Sequence, residues 1–139
     1  MSIEKIKGCL SHNTDDWRTP TSLFKDYMEK GFIDCFPYHA DYDEFQMVYS
    51  NEKLFANPPY SKLKFVPLWI YNNVINGCEI HLLIPARTDT RYFHKMLEFH
   101  PKIIFLKGRL HFNDSLFGAP FPSIIMIFKK EYLGSDEFR

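Results

Sequence analysis

Lys53-Leu54-Phe55-Ala56-Asn57-Pro58-Pro59-Tyr60-Ser61 is the stretch that decides how this chain folds. Its apolar first part predicts a strand over residues 53–56. The strand has to end at Asn57, because the two prolines that follow have a fixed φ and cannot donate backbone hydrogen bonds. The result is a rigid loop, from which a side-chain amide, backbone carbonyls and an aromatic ring can point at one place.

Helical and strand patterns alternate along the rest of the chain. We expect one helix with Thr19 as N-cap and Pro20 as its first residue, a second over 62–75 with Ser61 as N-cap, and a third around 92–99 with Asp89 as N-cap. Gly31 and Gly77 should end the first two helices. We expect strands at 32–34, 53–56, 79–84, 103–106 and 123–128, with short ones at 47–49 and 109–112. This alternation predicts an α/β fold with a mostly parallel sheet and helices on both faces.

Length and composition indicate one globular domain. The 139 residues suit a single domain spanning 1–139, in which 1–16 and 130–139 are peripheral. A hydrophobic content of 45% and an aromatic content of 17% exclude a disordered chain. Three widely spaced cysteines and the absence of a signal-peptide pattern predict a reduced, cytoplasmic protein. The longest apolar runs are too short to cross a bilayer, so we expect no membrane partner.

Charge is distributed unevenly, although the formal net charge is zero. Residues 1–52 hold 5 Lys or Arg and 10 Asp or Glu, whereas residues 53–130 hold 11 and 4. The basic region therefore begins where the Asn57 loop begins. A basic face at this position would suit a polyanion, but ordinary clustering of surface charge would give the same pattern.

Polar residues follow three of the predicted strands. In parallel sheets, ligands bind beyond the carboxyl ends of the strands. We therefore expect Asp34, Asn57 and the Arg87-Thr88-Asp89 loop to meet at one rim of the sheet.

The Asn57 loop has the groups needed to alkylate an aromatic amine such as that of adenine. The lone pair of this amine is delocalised into the ring, so a site that accepts hydrogen bonds from both amino protons favours attack by the nitrogen. The Asn57 side-chain oxygen and the Pro58 carbonyl are two such acceptors on a rigid loop. Tyr60 could stack on a base drawn out of a duplex, which is worth about 1–3 kcal/mol. Positioning would then supply most of the catalysis.

These segments, in this order, resemble the phage-type DNA N6-adenine methyltransferases. The likeness covers roughly residues 17–129 and is carried by Trp17-Arg18-Thr19-Pro20, Phe32-Ile33-Asp34-Cys35-Phe36-Pro37, Asn57-Pro58-Pro59-Tyr60-Ser61, Leu83-Ile84-Pro85-Ala86-Arg87-Thr88-Asp89-Thr90, Phe105-Leu106-Lys107-Gly108-Arg109-Leu110-His111-Phe112 and Ala119-Pro120-Phe121-Pro122-Ser123. The resemblance implies transfer of a methyl group from S-adenosylmethionine to adenine N6, within a Rossmann-like fold. It also implies that the protein acts in the cytoplasm of a bacterial or phage-infected host cell.

The resemblance also implies roles for individual residues. Asn57, Pro58, Pro59 and Tyr60 would hold the flipped adenine. The cofactor would be held by Trp17, Thr19, Pro20, Asp34, Phe36 and Asp43. Of these, Thr19 and Pro20 would meet its methionine end and Asp34 its ammonium group. From their position in the basic part of the chain, we also expect DNA contacts from Ser61, Lys62, Lys64, Arg87, Arg91 and Arg109; the three arginines could equally be surface charges.

The sequence departs from these relatives in one region. Many of them have a glycine-rich turn after the first strand, whereas no glycine separates Asp34 from Gly77 here. Only 22 residues lie between Asp34 and Asn57, which predicts a trimmed version of the methyltransferase sheet. A second copy of the chain or an accessory subunit could then complete the site.

Other functions fit the residues less well. Cys35 and His39 have a zinc-like spacing but lack a second pair, and Asp34, Asp41, Asp43 and Glu44 could bind Mg²⁺ in a nuclease. We expect neither metal. Two alternatives stay open: a methyltransferase-like module that binds DNA or protein without turnover, and transfer to cytosine N4.

Overall fold

Helices and strands alternate in a computed structural model of the chain, which describes residues 16–138. The strands are β1 (Ile33–Asp34), β2 (Lys53–Ala56), β3 (Glu79–Pro85), β4 (Lys102–Phe105) and β5 (Ser123–Phe128). The α-helices are α1 (Thr21–Glu29), α2 (Val66–Val74) and α3 (Arg91–Leu97). Short 3₁₀ segments lie at Glu44–Gln46, Tyr60–Phe65, Phe112–Asp114 and Lys130–Phe138. The predicted α/β class is confirmed; the prediction for residues 1–15 lies outside the described residues.

The five strands form one mixed sheet in the order β1-β2-β3-β5-β4. β1, β2 and β3 run parallel, whereas β5 is antiparallel to both of its neighbours, β3 and β4. The prediction of a mostly parallel sheet is therefore correct only for the first three strands. The chain enters β5 from β4 through residues 106–122 without an intervening α-helix, and antiparallel neighbours need no helical crossover.

Helices cover both faces of the sheet, as predicted. Tyr27 of α1 stacks on Phe55 of β2 with ring centroids 4.4 Å apart, and its hydroxyl lies 3.0 Å from Nδ1 of His81. On the other face, Phe99 at the end of α3 packs against Phe128 of β5. The contacts of Tyr27 fix α1, and with it the segment that leads into α1, above the carboxyl ends of β1 and β2.

Helix α1 begins one residue later than predicted. Pro20, not Thr19, is the N-cap, and the helix starts at Thr21. The first turn is capped from a distant loop, because the carboxylate of Asp114 accepts hydrogen bonds from the backbone N–H and the hydroxyl of Thr21. Thr19 is thereby left for another contact, described below.

The starts of α2 and α3 also differ from the prediction. A 3₁₀ segment occupies Tyr60–Phe65, and α2 begins only at Val66. Pro67 explains the delay, because proline lacks an N–H and is tolerated in the first turn of an α-helix but not further in. In α3 the N-cap is Thr90 rather than Asp89. Gly31 and Gly77 both adopt positive φ at helix ends, as predicted.

The strand expected at 47–49 is wrong. Backbone groups in this segment bind the buried side chain of Asn73 on α2: Tyr49 N–H donates to its Oδ1 (2.6 Å), and its Nδ2 donates to the Met47 carbonyl (3.3 Å). A side chain thus takes the place of a neighbouring strand.

The edge strand expected at 109–112 is also wrong. This segment opens a loop that closes with a hydrogen bond from the Ala119 N–H to the Leu110 carbonyl (2.8 Å), and Phe112–Asp114 is a 3₁₀ turn. Asn113 and Asp114, which follow directly, both adopt positive φ, so no regular strand can continue past Phe112.

Candidate functional site

A cavity of about 450 Å³ opens at the carboxyl ends of β1 and β2. Its volume lies within the range of small-molecule sites. It is lined by Trp17, Arg18, Thr19, Phe24, Asp34, Phe36, Pro37, Tyr38, His39, Ala40, Glu44, Asn57 and Pro59. Three separate segments, the one before α1, the loop after β1 and the loop after β2, therefore meet here.

The side chain of Asn57 is fixed in one orientation. Its Nδ2 donates to the Trp17 carbonyl at 2.6 Å and to Oγ1 of Thr19 at 3.0 Å. A carbonyl oxygen can only accept, so the amide nitrogen must face Trp17. Both amide protons are used by the protein, and Oδ1 is the group that points elsewhere.

Oδ1 of Asn57 is buried and has no hydrogen-bond partner among the described residues. A buried acceptor without a partner costs about 1–3 kcal/mol. Such a group needs a donor from outside the protein, which a ligand or an ordered water can supply. The Asn57 loop therefore carries a rigidly held acceptor that no described residue satisfies.

Asp34, at the end of β1, supplies a carboxylate to the same cavity. Its Oδ1 accepts a hydrogen bond from the Phe36 N–H at 3.3 Å. Burial raises the pKa of this carboxyl above its ordinary value, and nearby Glu44 acts in the same direction. A half-buried carboxylate that lacks a cationic partner in these interactions is suited to bind an ammonium group.

The loop after β1 turns without a glycine. His39 adopts φ = 60°, the left-handed conformation that glycine adopts most readily. Beside it, the guanidinium of Arg18 lies 3.6 Å from the centre of the Tyr38 ring. The loop therefore contains a residue at positive φ without using glycine, and a cation–π contact joins it to the segment before α1.

Tyr60 lies inside an aromatic cluster rather than at the surface. Its ring is 6.2 Å from Phe112 and 5.8 Å from Phe121, and both of these also contact Trp17. The buried hydroxyl has no hydrogen-bond partner in the described part of the chain, and burial raises the pKa of Tyr60 well above its ordinary value. A base could stack on Tyr60 only after its neighbours move.

The loop over residues 106–122 holds the segment before α1 in place. Asn113 donates its backbone N–H to the Arg18 carbonyl (2.9 Å) and accepts the Arg18 N–H at Oδ1 (3.0 Å). Its Nδ2 donates to the Asp16 carbonyl (2.6 Å). Sequence reasoning did not identify Asn113 or Asp114. The available signal was an Asn-Asp pair, since both residues tolerate positive φ.

The remaining predicted cofactor residues divide into two groups. Trp17, Thr19 and Phe36 line the cavity together with Asp34. Pro20 and Asp43 are not among the lining residues; the carboxylate of Asp43 accepts the Phe45 N–H (3.1 Å), while its neighbour Glu44 does line the cavity.

The predicted DNA contacts are all exposed, but they do not form one cluster. These residues are Ser61, Lys62, Lys64, Arg87, Arg91 and Arg109. Lys64 and Arg91 line a second groove of about 650 Å³ between α2 and α3. Arg109 donates to the Ala119 carbonyl (3.3 Å). Arg87 follows β3, whose carboxyl end lies at the same edge of the sheet as those of the parallel strands β1 and β2, but Arg87 does not line the cavity.

No group of three or more His, Cys, Asp or Glu residues that could hold a metal ion occurs in residues 16–138. Cys35 is buried, and burial raises the pKa of its thiol to about 12. The thiolate that zinc requires is thereby disfavoured. The zinc and magnesium alternatives gain no support from this region.

No helix in the described part of the chain is long and apolar enough to cross a membrane. No family model matches the chain, and neither the curated proteins nor the solved structures include one that is significantly similar to it.

Proposed function

We propose that the protein is a DNA adenine-N6 methyltransferase that uses S-adenosylmethionine, with a trimmed Rossmann-like fold. One observation carries the proposal. Asn57 lines a cavity that also contains a carboxylate, and its two amide hydrogen bonds hold in place a buried oxygen that has no partner within residues 16–138. An acceptor of this kind is what the amino group of a base requires.

The residues of the cavity fit the cofactor. Asp34 would bind the ammonium group, and Thr19 would lie at the methionine end. Trp17 and Phe36 provide apolar aromatic surface. When bound, S-adenosylmethionine supplies an electrophilic methyl group. The donor set supports this fit because the Asp34 carboxylate has no other cationic partner in the interactions described above.

Asn57 and Pro58 would act on the base. Oδ1 of Asn57 would accept one amino proton and the Pro58 carbonyl the other, which orients the nitrogen lone pair toward the methyl group. Because both acceptors belong to a rigid loop, little reorganisation is needed as charge develops. The methylated amino group would release its extra proton to water, so no residue with a tuned pKa is required; the raised pKa of Tyr60 excludes its phenolate as a base at neutral pH.

DNA would approach from the basic part of the chain. The exposed cations on the loops, on the 3₁₀ segment Tyr60–Phe65 and on α3 would supply contacts to phosphate that do not depend on sequence. The adenine would have to leave the stack to reach Asn57, at a cost of a few kcal/mol. A second copy of the chain or an accessory subunit could contribute part of this free energy. The protein would act in the cytoplasm of a bacterial or phage-infected cell.

A module that binds DNA or protein without turnover is the second candidate. It is favoured by the packing of Tyr60, because the ring expected to receive the base is covered by Phe112 and Phe121. The two candidates differ in one measurable property, which is transfer of the methyl group.

The experiment is a transfer assay with radiolabelled S-adenosylmethionine and unmethylated DNA, followed by mass analysis of the nucleosides. We expect label on N6-methyladenine. Label on N4-methylcytosine would mean that the target base is cytosine rather than adenine, with the same chemistry at the site. No transfer at high cofactor concentration, together with no heat on titration of the cofactor, would refute the enzyme and leave the binding module.

A further inference from the structure

The loop over residues 106–122 exposes two large apolar side chains at its tip. Leu116 is 92% exposed and Phe117 is 69% exposed. They are adjacent and lie at the end of a loop, so neither belongs to the face of a helix or to a strand of the sheet. Two such side chains at one protruding point are characteristic of a surface that meets a partner.

This tip is held rigidly. The Ala119 N–H donates to the Leu110 carbonyl (2.8 Å) at the base of the loop. Within it, His111 Nδ1 lies 2.9 Å from the Ser115 carbonyl, and the Phe117 N–H donates to Oγ of Ser115 (3.2 Å). The apolar pair is therefore presented in a defined position, at little entropic cost on binding.

The loop is also joined directly to the candidate site. Asn113 binds both backbone groups of Arg18, and the next residue, Thr19, binds Asn57. The ring of Phe112 contacts that of Trp17 at 5.7 Å. Three to five residues separate this anchor from the apolar tip, so the tip lies within about 10–18 Å of the anchor.

The charges around the tip suit a polyanion. The loop contains Lys107 and Arg109, whereas Arg18 at its anchor is already paired with Asp16. Its one carboxylate, Asp114, is engaged by Thr21. Duplex DNA provides phosphates for the cations and an apolar base stack for the tip. An acidic protein surface provides negative charge but does not generally provide an apolar surface beside it.

We propose that Leu116 and Phe117 enter the base stack of duplex DNA and fill the space that the target adenine leaves. Apolar side chains inserted between base steps stabilise an unstacked duplex. This inference rests on the proposed function, since a base that turns outward creates the space. The wedge is needed only when the adenine starts inside a duplex, and this condition provides the test.

The test compares two forms of the same unmethylated DNA, native and heat-denatured, in the methyl-transfer assay. The variant is the double substitution Leu116→Ala with Phe117→Ala. The control is Phe105→Ala, which removes a phenylalanine of similar exposure (76%) from β4, outside the loop. Urea unfolding checks that both variants keep the stability of the wild type.

We expect the double variant to methylate native DNA about 10- to 100-fold more slowly than the wild type, and denatured DNA within about twofold of it. Phe105→Ala should match the wild type on both forms. Suppose that the wild type methylates DNA, which supports the proposed function. An equal loss of transfer by the double variant on both forms of DNA, or no loss on either form, would then overturn the wedge alone. If the wild type methylates neither form, the proposed function fails, and the wedge fails with it.

Discussion

Replacing Asn113 tests how the loop over residues 106–122 holds the candidate site. The side chain makes two hydrogen bonds, from the Arg18 N–H (3.0 Å) and to the Asp16 carbonyl (2.6 Å), and the residue adopts φ = 59°. Each bond contributes about 0.5–1.5 kcal/mol, and these bonds are exposed, so their sum is about 1–2 kcal/mol. Asn113→Gly removes both bonds but adopts positive φ without strain.

Asn113→Ala adds backbone strain to the same loss. An L-residue in the left-handed region costs about 1–2 kcal/mol. Glycine loses about 0.4–1 kcal/mol more chain entropy than alanine on folding. We therefore expect Asn113→Ala to be about 0.5–1 kcal/mol less stable than Asn113→Gly, and both to be less stable than the wild type.

Urea unfolding followed by circular dichroism measures these differences. His111→Ala is the control, because it removes a contact that stays inside the loop, to the Ser115 carbonyl. It should cost less than either Asn113 variant. Wild-type stability in Asn113→Ala would contradict the role of these two hydrogen bonds. An Asn113→Ala variant more stable than Asn113→Gly would contradict the role of the backbone conformation.

Three further outcomes are expected. Asn73→Leu should lower the free energy of unfolding by about 2–4 kcal/mol in urea melts, because it leaves the Tyr49 N–H and the Met47 carbonyl without their partner; wild-type stability would contradict this. Gly118→Ala places a Cβ 2.8 Å from Cβ of Arg109 and should slow transfer to native DNA more than to denatured DNA; equal rates on the two forms would oppose it. Burial raises the pKa of Asp34, so its charge, and with it the calorimetric affinity for cofactor, should be lost as pH falls through that raised pKa. Asp34→Asn should bind weakly without this pH dependence and be at least as stable as the wild type at pH 7, since its ionised form is the one that burial penalises; unchanged affinity would contradict the role of Asp34.

The sequence was most informative where local chemistry restricts the backbone. The prolines after Asn57 end β2 at the predicted residue, and Gly31 and Gly77 adopt the positive φ expected of residues that end helices. The meeting of Asp34 with Asn57 was predictable too. It follows from the parallel arrangement of β1 and β2, whose carboxyl ends lie at one edge.

Long-range contacts made by side chains were not predictable. The prediction of a strand at 47–49 was wrong because Asn73, on α2, binds the backbone of this segment. The cap of α1 is supplied by Asp114, more than ninety residues away, which frees Thr19 to bind Asn57. A pattern read along the chain contains no information on such partners.

The antiparallel orientation of β5 and the burial of Tyr60 were also not predictable from the sequence. Both depend on how residues 106–122 fold back over the site, since this loop returns the chain in the opposite direction and places Phe112 and Phe121 against Tyr60. Its composition indicated only a loop.

The most direct test of the account is a comparison of Asn57→Ala with Thr19→Val. Asn57→Ala removes the unpartnered oxygen that would hold the base, whereas Thr19→Val removes one acceptor of Nδ2 and leaves that oxygen in place. Methyl transfer to DNA and calorimetric binding of S-adenosylmethionine are measured on both. The account predicts that Asn57→Ala loses transfer by at least about 100-fold while it still binds cofactor, and that Thr19→Val binds cofactor more weakly but retains most of its transfer when the cofactor is saturating. Transfer by Asn57→Ala at the wild-type rate would contradict the central claim.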